Sequence, residues 1–72
     1  MTRQNCGYII LYAYQLKENE EIVLGKNSSG MFVTWMTKGE DYFWGHYFSN
    51  ELEAIKDFGN RIEDWERMYK NG

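Results

Sequence analysis

Four apolar-rich segments, Gly7 to Leu16, Glu21 to Lys26, Met31 to Thr37 and Tyr42 to Phe48, alternate with Lys17-Glu18-Asn19-Glu20, Asn27-Ser28-Ser29-Gly30 and Lys38-Gly39-Glu40-Asp41. Segments this short and this rich in Tyr, Ile, Val and Trp read as strands, and the polar separators read as hairpin loops. The pattern predicts a four-stranded antiparallel meander. If each loop closes directly, Leu16 faces Glu21, Lys26 faces Met31 and Thr37 faces Tyr42. The two-residue period of a strand then assigns every side chain to a face.

One face collects Ile9, Leu11, Ala13, Ile22, Leu24, Met31, Val33, Trp35, Trp44, His46 and Phe48, including a Trp35–Trp44 cross-strand pair. The other collects Tyr8, Ile10, Tyr12, Tyr14, Val23, Gly25, Phe32, Thr34, Met36, Phe43, Gly45 and Tyr47. From Ser49 onward the period changes to that of a helix. Asn50 or Ser49 can cap it, with Glu53 placed as in a capping box. Leu52, Ile55, Phe58, Ile62, Trp65 and Tyr69 make one apolar stripe, while Glu53, Asp57, Asn60, Glu63, Asp64, Arg67 and Lys70 read as the solvated side. One stripe needs one partner, and the aliphatic sheet face is the natural one. The expected fold is α+β, a ββββα two-layer domain spanning residues 1–72.

That arrangement leaves the tyrosine-rich face uncovered. In the same register its rows read Tyr12–Gly25–Phe32–Tyr47 and Tyr14–Val23–Thr34–Gly45. Glycine beside aromatics gives either rings lying over bare backbone or a shallow furrow walled by rings. A continuous apolar patch of this kind more often marks a contact surface than idle exposure.

Composition narrows the classes. With 72 residues and a single cysteine, Cys6, there is room for one core and no internal disulfide, so three Trp, six Tyr and four Phe must supply the packing. The opening MTRQNCGYIILYAYQ has no signal-peptide pattern, and no run approaches the roughly 20 apolar residues of a membrane span. A reduced, cytoplasmic setting without membrane contact is the expectation, and the Asn27-Ser28-Ser29 sequon reads as a turn. A net charge of −3 argues against a nucleic-acid backbone as partner.

Reactive chemistry is sparse. His46, the single histidine, sits among aromatics and glycine and reads as a packed or hydrogen-bonded structural residue. Cys6 reads as a small, unreactive thiol. The Gly25-Lys26 pair lacks the other elements of a phosphate loop. The helix carboxylates alternate with Lys56, Arg61, Arg67 and Lys70 as on a solvated face. No nucleophile–base pair, metal-ligand spacing or cofactor fingerprint stands out, so the reading is non-enzymatic, with no cofactor and no metal.

The run FVTWMTKGEDYFWGHYF followed by EAIKDFGNRIE resembles a group of short Firmicute proteins, often encoded on conjugative or other mobile elements. The resemblance covers about Tyr8 to Ile62 and is most specific at Val33-Thr34-Trp35 and Tyr42 to Phe48. It implies a bacterial, cytoplasmic, element-borne accessory protein. No activity is established for the group, so no residue's role carries over.

The sequence thus points to an interaction module. Its expected binding surface is Tyr12, Tyr14, Phe32, Thr34, Met36, Phe43 and Tyr47, used for a homodimer or another protein partner. The alternative is single-stranded nucleic acid stacked on the sheet aromatics, with Lys17, Lys26 and Lys38 near phosphates. The acidic balance counts against it.

Overall fold

The computed structural model describes residues 3–69. A five-stranded antiparallel sheet runs in sequence order through β1 (Gln4–Asn5), β2 (Tyr8–Lys17), β3 (Glu20–Asn27), β4 (Phe32–Lys38) and β5 (Asp41–Phe48). One helix, α1 (Glu51–Tyr69), packs on it. The α+β class and the meander follow the expectation. The fifth strand is the short β1, joined to β2 through Cys6 and Gly7, both at positive φ (50° and 82°). Two left-handed residues suit a two-residue hairpin turn. Cys6 is exposed there.

Asn50 caps α1 as expected. Its side-chain oxygen accepts the Glu53 amide at 3.1 Å and its carbonyl accepts the Ala54 amide at 3.2 Å. The rotation of the helix differs. Ala54 is fully buried against Leu24 and Phe32, and Asp57, Phe58, Arg61 and Trp65 continue that line, whereas Leu52, Ile55 and Tyr69 are exposed. At 100° per residue the buried line is turned by about 75° from the expected stripe. Asp57, expected in solvent, therefore points to the sheet. Lys70 lies outside the described residues.

The sheet register departs from the expected one in four places. Asn27 donates its amide to the Met31 carbonyl at 2.9 Å, and its side-chain oxygen accepts the amides of Ser29 at 3.0 Å and Met31 at 2.8 Å. The loop is therefore Ser28-Ser29-Gly30, closed by Gly30 at φ 85°, and Lys26 faces Phe32, not Met31. A one-residue slip exchanges the faces. Phe32, Thr34 and Met36 join Ile22 and Leu24 on the helix side, and Val33 and Trp35 turn away. Shifts between Ile10 and Tyr12, and between Gln15 and Lys17, put Tyr12 and Tyr14 on the helix side as well. A fourth, between Thr34 and Met36, leaves Trp44 outside the ladder, so the Trp35–Trp44 pair does not form.

The helix-free face forms a second small core. Trp35 is 4 % exposed although no helix covers it. Tyr8, Tyr42 and Tyr47 stand edge-on around it, with ring centroids 5.5, 5.4 and 6.3 Å away. Val23 and Val33 form its floor, and Ile10 packs beside them. Arg3 closes one side, donating to the Tyr42 hydroxyl at 2.8 Å and pairing with Glu21 at 2.7 Å.

Gly45 makes room for Trp35. A Cβ at Gly45 would stand 2.7 Å from Trp35 Nε1 and 3.1 Å from Tyr47 Cε1. Because the buried indole cannot swing aside, Gly45→Ala is expected to cost about 1–3 kcal/mol in urea unfolding. A loss below about 0.5 kcal/mol would show that the ring does not rest on this backbone.

Candidate functional site

Three donors from three elements meet on one oxygen. Asp57 Oδ2 accepts the Thr34 hydroxyl of β4 at 2.6 Å, lies 3.0 Å from His46 Nδ1 of β5, and accepts Arg61 Nε, one helical turn on, at 3.2 Å. Thr34 is fully buried, and the Arg61 side chain is 11 % exposed. Arg61 Nη2 also donates to the Trp44 carbonyl. His46 is hydrogen-bonded, as the sequence suggested. The network itself was missed, because Asp57 had been placed in solvent.

Burial opposes ionisation of Asp57, but the Thr34 hydroxyl, then His46, then Arg61 outweigh it and hold the carboxyl below its ordinary value of 3.8. A lowered pKa in the folded state gives stability that is complete above the unfolded value and disappears as pH falls through the folded one. These groups are joined to one another. Among the described residues no group of three or more His, Cys, Asp or Glu could hold a metal ion.

Beside this joint lies a groove of about 660 Å³ between the C-terminal half of α1 and the β4–β5 side of the sheet. Met36, Phe43, Trp44, Trp65, Met68 and Tyr69 supply its apolar lining, while His46, Arg61, Asp64, Lys17, Glu20 and Lys38 add polar groups. Volume and lining fall within the range of ligand and contact pockets. At its mouth Trp44 is 68 % exposed and has φ 54°, a left-handed conformation rare for a bulky residue. The Phe43 ring packs edge-on against the indole at 4.9 Å.

The seven residues expected to share one uncovered face do not share it. Tyr12, Tyr14, Phe32, Thr34, Met36 and Phe43 lie on the helix side and Tyr47 lies opposite, in the Trp35 cluster. Phe32 and Thr34 are buried and offer nothing to a partner. Tyr14 donates to Glu66 of α1 at 3.2 Å, and Tyr12 is exposed on β2. Only Met36 and Phe43 of the seven line the groove. Trp44, Trp65 and Met68 were read as core or left unassigned, since nothing local announces a bulge.

Asp57→Asn is expected to lose about 1.5–3 kcal/mol at pH 7, the worth of hydrogen bonds to a charged group. The gap from the wild type should narrow as pH falls from about 5 through the carboxylate range. Urea melts of both proteins across that range give the test, and a gap independent of pH would contradict the charged joint. No family model, curated protein or solved structure matches this chain.

Proposed function

We propose that this chain is a protein-interaction module without catalytic activity, and that its contact surface is the groove around Trp44. The observation that carries the reading is the side chain of Trp44, a large ring left 68 % exposed. Leaving a ring of this size in water forgoes burial that would stabilise the fold. Exposed tryptophan beside methionine is also the composition of contact hot spots and adaptable binding surfaces. The polar groups nearby join helix to sheet, which favours binding over chemistry. No helix among the described residues is long and apolar enough to cross a membrane, and the acidic total favours a protein over a phosphate backbone.

A photo-crosslinking amino acid at Met68, in the groove, and at Asn60, on the outer side of α1, tests this in the native host. The Met68 position should give a discrete protein adduct, Asn60 should not, and Trp44→Gly should abolish the adduct. The same substitution should leave the melting temperature unchanged or raise it, since glycine relieves about 1–2 kcal/mol of left-handed strain. An adduct indifferent to Trp44→Gly, or none at Met68, would overturn the reading.

A further inference from the structure

We infer that a second copy of this chain docks across the open end of the groove through a two-fold axis; the inference rests on the groove being the contact surface. Where the groove opens near the end of α1, one residue from each of four strands stands in a row. Lys17 pairs with Glu20, Glu20 with Lys38, and Lys38 with Asp41. Directly opposed residues share a face of the sheet, and the first three line the groove. The row therefore lies on the helix side.

Read from β2 to β5, its charges run plus, minus, plus, minus. Turned end for end about its midpoint, such a row is its own complement: Lys17 meets the partner's Asp41, and Glu20 meets the partner's Lys38. Two-fold symmetry repeats both contacts. A row with the same sign at both ends would set like against like. Among the described residues none of the four takes part in an ion pair within its own chain. Met36 and Phe43 form the next layer inward on β4 and β5, and Met68 stands exposed on α1. An apolar centre with a charged rim is the anatomy of a specific interface.

Sedimentation of charge-reversed variants tests the docking. The wild type is expected to form a species of twice the 8.7 kDa chain mass as concentration rises. Glu20→Lys sets lysine against the partner's Lys38 twice, and Lys38→Glu sets glutamate against the partner's Glu20 twice, so each variant alone should dimerise at least about tenfold more weakly. An equimolar mixture of the two should dimerise again, because in the mixed pair every plus meets a minus. Damage inside one sheet would not be repaired by mixing. A wild type that stays at chain mass into the millimolar range, or a mixture that stays monomeric while the wild type dimerises, overturns the docking. If the Met68 adduct then proves to be a different protein and still depends on Trp44, the groove reading stands without self-docking.

Discussion

One carboxylate oxygen joins the two layers. Asp57 Oδ2 takes hydrogen bonds from the Thr34 hydroxyl and Arg61 and touches His46, so β4, β5 and the helix meet on a single atom. A half-buried carboxylate is costly when unpartnered and stable when its lone pairs are filled. The apolar contact beside it is small: Ala54, Leu24 and Phe32, flanked by Phe48 and Phe58. The polar joint therefore sets the rotation of α1. Turning Asp57 and Arg61 inward turns Leu52 and Ile55 outward, and the cleft beside the joint is the space that rotation leaves.

With one helix, a small chain has to protect two sheet faces. It covers the second with its own rings. Tyrosine suits this task, since the ring edge packs on Trp35 while the hydroxyl faces water or a partner such as Arg3. The bare backbone at Gly45 lets the indole lie flat enough to be enclosed. The furrow expected from the glycines is thus occupied by Trp35, and the open groove lies on the other side of the sheet.

The three long hairpins, the helix cap and the fold class were legible because they depend on local chemistry: polar turns, Asn50 and the change of period at Ser49. Face assignment was not, because it depends on loop length to a single residue. Asn27 uses its side chain to tighten the turn, and that one residue exchanges Phe32, Thr34 and Met36 with Val33 and Trp35. His46 and Phe48 nonetheless reach the expected helix side, because the irregularity at Trp44 reverses the slip. The candidate site was hidden for that reason and because the rotation of α1 turns Asp57 inward. Its residues are neighbours only after both irregularities are in place.

The bulge also shows what the fold demands of Trp44 and what it leaves free. Continued without interruption, the pairing of Met36 with Phe43 would set Thr34 opposite Gly45 and send His46 to the Trp35 face, away from Asp57. The extra residue brings His46 to the joint, so the left-handed backbone at position 44 has a structural cause, and Arg61 secures it through the Trp44 carbonyl. Nothing in that requirement calls for an indole. Glycine or asparagine would take the same φ at less cost, and a ring 68 % exposed adds little to the core. The backbone is accounted for by the fold and the side chain is not, which is why the functional reading rests on the ring of Trp44 and not on the bulge that carries it.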